Sequence, residues 1–331
     1  MKRLTIGKIR GLQQIANSDG IFTICALDHR GSLRRMLDEE HPEEVDYEEM
    51  VAHKLELCSN LAKYASAVLL DPLYGAAQCI SYGVLPNTTG LLVSIEASGY
   101  SGDKEHRITK LLDEWTVEKI KRMGASAVKI LVYYRPELEQ LANKQLNTVN
   151  IVATECMKYD IPFLVEPVSY AIGNEIIDSP QFAALKEQVV IKTAQDITAL
   201  PIDVLKAEFP ADLRYRKDKG ELTNLCRQLD MSSQVPWVVL SAGVDFEVFC
   251  QEVEIACQAG ASGFLGGRAI WQEAIYIDNA RERVQYLSTV GADRLKRLNE
   301  IASKYAVPWY KKLGVSSQEL ARISKKWYQE Y

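Results

Sequence analysis

Short, continuous apolar runs recur along the chain, and most of them precede a longer segment with helical periodicity. The eight runs are "IFTICALD" (21–28), "AVLLD" (67–71), "GLLVSIE" (90–96), "AVKILVYY" (127–134), "PFLVEPV" (162–168), "VLKAEF" (204–209), "PWVVLSA" (236–242) and "GFLGGRA" (263–269). Apolar residues are continuous in these runs rather than alternating with polar ones. This pattern is typical of parallel strands that are covered on both faces.

Amphipathic segments lie between the runs, with apolar residues at helical spacing. The clearest are 46–65, 111–125, 147–160 and 245–261, whereas the charged stretch 212–222 reads as a solvated loop. Eight strand–helix units in about 250 residues predict a (β/α)8 TIM barrel. A doubly wound sheet is the alternative, but no G-x-G-x-x-G follows any of the runs. We therefore expect one α/β domain over residues 1–331, with the barrel at about 20–275 and C-terminal helices at 276–331.

Polar residues stand out near the ends of these apolar runs. They are Asp28, Asp71, Glu96, Lys129, Glu166, Lys206, Ser241 and Arg268. Active sites of TIM barrels lie at the carboxyl ends of the strands, in the loops that follow them. The pattern therefore predicts that these side chains gather at one end of the barrel.

Lys129 and Lys206 lie inside apolar strands, in "AVKIL" and "VLKAE". A buried ammonium group is costly unless it loses its proton or pairs with a carboxylate. Each lysine could therefore be one partner of a structural ion pair. The functional interpretation is an amine that burial and a second nearby cation keep partly neutral, so that it attacks a carbonyl and forms a Schiff base.

Two carboxylates accompany the lysines. Glu166 could be the ion-pair partner of a lysine, or the general acid/base that an imine mechanism needs to dehydrate a carbinolamine and to move a carbon-bound proton. These two roles are compatible. Asp28 ends the first strand and could cap the next helix, or hold a substrate hydroxyl and align a lysine.

The last two strands end in small residues. The loops after strands 7 and 8 of a TIM barrel often form a phosphate site from backbone N–H groups. The backbone could approach a phosphate closely at four small residues, which are Ser241, Gly243, Gly266 and Gly267. Arg268 would add a charged guanidinium that can donate two parallel hydrogen bonds. Together the two loops predict a phosphate site.

Composition narrows the class of protein. The formal net charge of −5 disfavours a nucleic-acid binder. No apolar stretch reaches the length of a membrane span. Seven cysteines without a CxxC, and an N-terminus without an apolar signal segment, favour a reduced cytoplasmic protein. Four histidines, all in the first third of the chain, are too few and too dispersed for a zinc site. We expect no metal and no cofactor.

A carbonyl-directed lysine, a carboxylate and a phosphate cradle predict imine-based carbon–carbon chemistry on a phosphorylated keto-sugar, the reaction of a class I aldolase. The chain in fact resembles the tagatose 1,6-bisphosphate aldolase family of bacteria. The similarity is carried by "ALDHRGSLRRML", "SAVLLDPLYG", "ASAVKILVYY", "FLVEPVSY", "DVLKAEFP", "LSAGV" and "ASGFLGGRAIW", which follow the family's order over about residues 12–275.

The resemblance implies specific roles. Lys206 would be the Schiff-base lysine and Glu166 the proton-transfer carboxylate, while Lys129 and Asp28 map onto active-site positions. Ser241 and Arg268 map onto residues that hold the phosphate of the dihydroxyacetone phosphate half. The implied reaction is cleavage of tagatose 1,6-bisphosphate to dihydroxyacetone phosphate and glyceraldehyde 3-phosphate. Loose C4 stereochemistry makes fructose 1,6-bisphosphate a second expected substrate.

Several alternatives stay open at this point. The family pattern leads us to expect Gln where this chain has His29. The related sulfofructose 1-phosphate aldolases share a segment like residues 236–271, which leaves phosphate or sulfonate open at the far end of the substrate. A non-catalytic sugar-phosphate-binding barrel, a transaldolase-like or deoxyribose-phosphate-aldolase-like enzyme, and a homo-oligomer also remain. A bisphosphate requires a second anion site, for which Arg30 is the candidate.

Overall fold

The eight apolar runs form the strands of one closed, parallel barrel in which each strand pairs with the next along the chain and β8 pairs with β1. The structure, a computed structural model, describes residues 4–320 and 322–331. The predicted (β/α)8 TIM barrel is confirmed. The strands are β1 Phe22–Ala26, β2 Ala67–Leu70, β3 Gly90–Ser94, β4 Ala127–Tyr133, β5 Phe163–Val168, β6 Val204–Ala207, β7 Trp237–Leu240 and β8 Gly263–Gly266.

Helices cover the outside of the barrel and continue beyond its last unit. They are α1 Ile6–Ile15, α2 Gly31–Leu37, α3 Tyr47–Leu61, α4 Ala76–Ser81, α5 Val117–Arg122, α6 Glu139–Lys158, α7 Pro180–Thr198, α8 Lys219–Ser232, α9 Phe246–Gln258, α10 Arg268–Ile275, α11 Ala280–Tyr286, α12 Ala292–Tyr305, α13 Trp309–Lys312, α14 Ser317–Leu320 and α15 Trp327–Glu330. A 3-10 turn (62–64) follows α3, and a π-helical turn (287–291) joins α11 to α12.

The helix expected over 147–160 begins already at Glu139. Capping residues account for two further wrong boundaries. The helix expected over 111–125 begins only at Val117, because Leu111 pairs with Glu96 in an antiparallel bridge and Thr116 caps the helix through its side chain. The loop expected over 212–222 ends at Asp218, whose side chain accepts the amide of Glu221 and starts α8. In both cases a capping residue, rather than the hydrophobic period, decides where the helix begins.

The strand side chains divide into two cores. Residues that point outward pack under the helices, whereas the alternate residues, such as Phe22, Leu92 and Leu164, fill the barrel interior. Leu12 of α1 and Trp309 of α13 join the interior core and close its amino-terminal end. The opposite, carboxyl end of the strands therefore remains available for a site. No helix in the described ranges has the length and apolarity that a membrane span requires.

Candidate active site

A cavity of about 1300 Å³ opens at the carboxyl ends of the strands. The predicted residues that line it come from seven of the loops and strand ends: Asp28, Arg30, Glu96, Lys129, Glu166, Lys206, Ser241, Gly243, Gly267 and Arg268. Sequence positions that are far apart are thus brought to one surface. Asp71 and Gly266 are the two predicted strand-end residues that lie elsewhere.

The two-residue period of the strands places the charged side chains in one layer. On β4, β5 and β6 the first inward residue belongs to the apolar interior core, and it is Ala127, Leu164 and Val204 respectively. The inward residue two positions later carries the charge. The three residues are Lys129, Glu166 and Lys206, all at most 7% exposed. An ion network therefore lies directly on top of an apolar core.

Lys129 is the centre of this network. Its Nζ lies 2.8 Å from Asp28 Oδ2, 2.7 Å from Glu96 Oε1 and 3.0 Å from Glu166 Oε2. Burial opposes the charge of this ammonium, but Asp28, Glu166 and Glu96 outweigh it and raise the pKa of Lys129 well above its usual value. Lys129 is therefore a fixed cation and not a nucleophile.

Lys206 has a different set of contacts. Its Nζ lies 2.6 Å from Glu166 Oε1, so the two oxygens of one carboxylate serve two lysines. No other carboxylate of the described residues lies within 4.0 Å of Lys206 Nζ. A proton that leaves Lys206 therefore has one direct acceptor, Glu166, which is the arrangement of a nucleophile with its base.

Asp28 remains ionised in this environment. Burial favours its neutral form, but the charges of Lys129 and Lys206 and the hydrogen bond from Lys129 overcome this and lower the pKa of Asp28 far below its usual value. Its side chain is 11% exposed and faces the cavity. The site thus offers a carboxylate that can accept a hydrogen bond from a hydroxyl group.

His29 follows Asp28 and is held as a neutral imidazole. Burial lowers the pKa of His29 to about 3, and the nearby cations oppose its protonation as well. The ring packs edge-on against Trp271 with 5.0 Å between centroids. A Cβ on Gly267 would come within 2.7 Å of His29 Cε1, so this glycine leaves room for the ring.

The loops after β7 and β8 meet at the predicted phosphate site. Gly243 has a φ of +84°, which favours glycine, and a Cβ there would lie 2.8 Å from Arg268 Cζ. The amide of Gly267 donates to Ser241 Oγ at 3.4 Å, and Arg268 donates to Ala242 O at 3.2 Å. Burial lowers the pKa of Arg268 from its high usual value. The arrangement has the donors and the charge that an anion requires.

Three predicted strand-end residues have positions that change their interpretation. A Cβ on Gly266 would meet Phe249 of α9 at 2.7 Å, so Gly266 faces the helix layer. Asp71 contacts Lys54 at 3.0 Å and accepts two amide hydrogen bonds, which anchors α3 and the turn after β2. Arg30 is 7% exposed and lies 3.8 Å from Glu96, beside the ion network.

Sequence reasoning missed part of the cavity wall. Tyr133 lies four residues after Lys129 on β4, and the two-residue period could have found it. Arg107 comes from the segment between β3 and α5, where no strand or helix pattern marks it. Lys186 and Arg214 also line the cavity, each paired with a carboxylate.

The described residues offer no evident metal site. Within residues 4–320 and 322–331, no group of three or more His, Cys, Asp or Glu side chains is arranged to hold a metal ion. The three carboxylates that do converge surround Lys129 Nζ.

Comparisons with known proteins identify the family to which the chain belongs. The family model "DeoC/LacD family aldolase" matches residues 22–273. The tagatose 1,6-diphosphate aldolase of Streptococcus agalactiae serotype V is 32% identical over 326 residues, which cover 92% of this chain and 98% of that protein. The enzyme of the same name from Lactococcus lactis subsp. lactis is 32% identical over 330 residues, with coverages of 94% and 99%.

The fold is also similar to solved structures. An archaeal fructose-1,6-bisphosphate aldolase, solved with its catalytic lysine covalently bound to the carbinolamine intermediate of the substrate, superposes with a TM-score of 0.54 at 18% identity. The match covers 86% of this chain and 98% of that one.

Proposed function

Because the chain belongs to the DeoC/LacD family of aldolases, we propose that it is a class I aldolase whose Schiff-base lysine is Lys206. Its substrate is tagatose 1,6-bisphosphate, with fructose 1,6-bisphosphate as a second substrate. The products are dihydroxyacetone phosphate and glyceraldehyde 3-phosphate. The observation that carries the proposal is the 2.6 Å contact between Lys206 Nζ and Glu166, at the edge of a cavity that also holds a candidate phosphate site.

The contact between Lys206 and Glu166 indicates how the imine forms. Glu166 accepts a proton from the Lys206 ammonium, and the neutral amine attacks the C2 carbonyl to give a carbinolamine. The protonated Glu166 returns its proton to the carbinolamine hydroxyl, which leaves as water. The product is an iminium ion on Lys206, and Glu166 is again a carboxylate.

The same carboxylate serves the cleavage. Glu166 takes the proton of the C4 hydroxyl, the C3–C4 bond breaks, and its electrons neutralise the iminium ion as an enamine while the aldehyde leaves. Glu166 then protonates C3, and water hydrolyses the resulting iminium ion. This step releases dihydroxyacetone phosphate and restores the Lys206 ammonium.

The surrounding charges prepare this cycle. Lys129 is fully charged and holds Glu166 Oε2 at 3.0 Å, which orients the carboxylate toward Lys206. Asp28, ionised and facing the cavity, accepts a hydrogen bond from a hydroxyl group of the sugar. Ser241, Gly243, Gly267 and Arg268 hold the C1 phosphate. Gly266 takes no part in this scheme, because it faces the helix layer and does not line the cavity.

The proposal is tested by trapping and by product analysis. Borohydride with dihydroxyacetone phosphate should add one reduced triose phosphate to the peptide that carries Lys206, and coupled assays should detect both trioses from tagatose 1,6-bisphosphate. Turnover should survive a strong chelator, since an imine mechanism needs no Lewis acid. Labelling of another residue, or binding of ketose phosphates without any cleavage, would contradict the assignment and favour a non-catalytic sugar-phosphate-binding barrel.

The proposal also includes the cellular location of the enzyme. All seven cysteines are buried and unpaired, which supports a reduced, cytoplasmic location. A homo-oligomer stays a prediction.

A further inference from the structure

Arg107 lies in the segment between β3 and α5, which folds as a small hairpin through the bridge between Ser101 and Ile108. Its guanidinium carbon lies 4.8 Å from the ring centroid of Tyr100, 5.6 Å from that of Tyr133 and 4.8 Å from that of Tyr170. Three aromatic faces thus surround one cation at the wall of the active-site cavity. Such faces attract a guanidinium but leave its N–H groups without an oxygen acceptor.

Arg107 lacks the partner that most cations of the cavity have. Lys129, Lys206 and Arg214 each contact a carboxylate within 3.0 Å. In the described part of the chain, no carboxylate oxygen lies within 4.0 Å of the Arg107 side chain, and its only hydrogen bond runs from Nε to the backbone oxygen of Lys104 at 3.0 Å. Both terminal NH2 groups are therefore available to an oxyanion.

The residue is also held in place. Gln145, which is fully buried, donates through Nε2 to the backbone oxygen of Arg107 at 3.1 Å and to that of Tyr133 at 2.8 Å. The hairpin is thereby tied to the end of β4. A cation fixed in this way loses little conformational entropy when it binds a ligand.

The strand order places Arg107 opposite the candidate phosphate site. The closed barrel runs from β1 to β8 in sequence, so β3 and β4 are four strands away from β7 and β8. A substrate with its C1 phosphate at Ser241 and Arg268 extends across the barrel mouth toward the wall that carries Arg107 and Tyr133. Arg30 follows β1, which neighbours β8, and lies on the near side.

We propose that Arg107, in its cage of three tyrosines, binds the oxyanion at the far end of the sugar and sets the preference for ketoses that carry an anion at both ends. The far-end group is a tetrahedral oxyanion, either a phosphate ester or a sulfonate. This inference rests on the proposed aldolase function and assigns a specificity role to a residue that takes no part in the bond-breaking steps.

The test compares two substrates that differ only at the far end. Arg107→Gln and Arg107→Lys are assayed with tagatose 1,6-bisphosphate and with tagatose 1-phosphate. Lys104→Gln is the matched control, because it removes one exposed charge from the same hairpin and keeps the backbone acceptor. For Arg107→Gln, kcat/KM for the bisphosphate should fall about 10- to 150-fold, the loss of one charge-assisted contact. For the 1-phosphate it should change by no more than about threefold.

A conservative variant and a third substrate complete the test. Arg107→Lys should lose less than Arg107→Gln on the bisphosphate, since the charge remains but the planar fork is gone. A 6-sulfonated ketose 1-phosphate, assayed beside the bisphosphate in the unaltered enzyme, identifies which oxyanion the cage prefers, and Arg107→Gln should erase that preference.

The outcomes distinguish a failure of the Arg107 assignment from a failure of the proposed aldolase function. An equal loss on both tagatose phosphates overturns the assignment and makes Arg107 a structural residue. No loss on either substrate moves the far-end site away from Arg107, with Arg30→Gln as the next variant. If the unaltered enzyme cleaves neither substrate, the aldolase proposal itself fails.

Discussion

Replacement of Lys129 by Met removes the cation that three carboxylates share. The six charged groups of the network are Asp28, Glu96, Glu166, Lys129, Lys206 and Arg30, and their formal charges balance. Lys129→Met leaves one uncompensated negative charge at a site where every member is nearly buried. Removal of one partner of a buried ion pair costs about 3–5 kcal/mol, so we expect a loss of this size in the free energy of unfolding at pH 8.

The loss should depend on pH with a defined sign. In the native enzyme Lys129 helps to hold the pKa of Asp28 far below its usual value, so this carboxylate is charged across the neutral range. Without Lys129, burial and mutual repulsion raise the pKa of at least one carboxylate of the folded variant above its unfolded value. The folded variant then binds an extra proton as the pH falls. The difference in stability should therefore shrink between pH 8 and pH 5, by up to about 1.4 kcal/mol per pH unit for each proton bound.

Urea denaturation at several pH values measures this difference. Lys206→Met is the matched control, because Glu166 keeps Lys129 at 3.0 Å and the loss should be only about 1–3 kcal/mol. Glu96→Gln combined with Lys129→Met removes one carboxylate together with the cation and should recover part of the stability. If Lys129→Met costs less than Lys206→Met, or if its cost is independent of pH, Lys129 is not the shared cation of the network.

Three further substitutions test other parts of the site. Glu166→Gln should leave the fold intact and lower kcat by about 10²- to 10⁴-fold, the range of a positioned acid/base; a loss of stability with unchanged kcat would restrict Glu166 to ion pairing. The pKa of His29, which burial lowers to about 3, makes the unfolded chain bind one more proton than the folded chain between pH 6.5 and 3, so stability falls as the pH falls. His29→Gln should reduce this slope of unfolding free energy by about 1 kcal/mol per pH unit near pH 5, and an unchanged slope would mean that His29 is protonated in the folded enzyme. Arg268→Ala should raise KM about 10- to 150-fold for tagatose 1-phosphate and tagatose 1,6-bisphosphate alike, and a loss confined to the bisphosphate would assign Arg268 to the far end.

The local pattern of the chain determines much of this architecture. The eight apolar runs each form one strand, and they pair in sequence order, because a strand that is buried on both faces and followed by a helix closes most simply as a parallel barrel. Lys129, Glu166 and Lys206 are recognisable in the sequence because a charge inside an apolar strand is costly without a partner. Their positions after Ala127, Leu164 and Val204 already imply one layer above the core.

Only the tertiary structure determines which carboxylates contact which lysine. The hydrophobic pattern of "AVKIL" and "VLKAE" does not distinguish the two lysines, which the sequence separates only through its family resemblance. The closed barrel surrounds Lys129 with carboxylates from the ends of β1, β3 and β5, and among the described residues it gives Lys206 Glu166 alone. Arg107 is likewise invisible in the sequence, since its three tyrosines come from different strands and loops. The physical reason is the same in both cases. Strand periodicity specifies which face a residue occupies, but contacts across a barrel depend on strand order, register and closure, which only the assembled fold brings together.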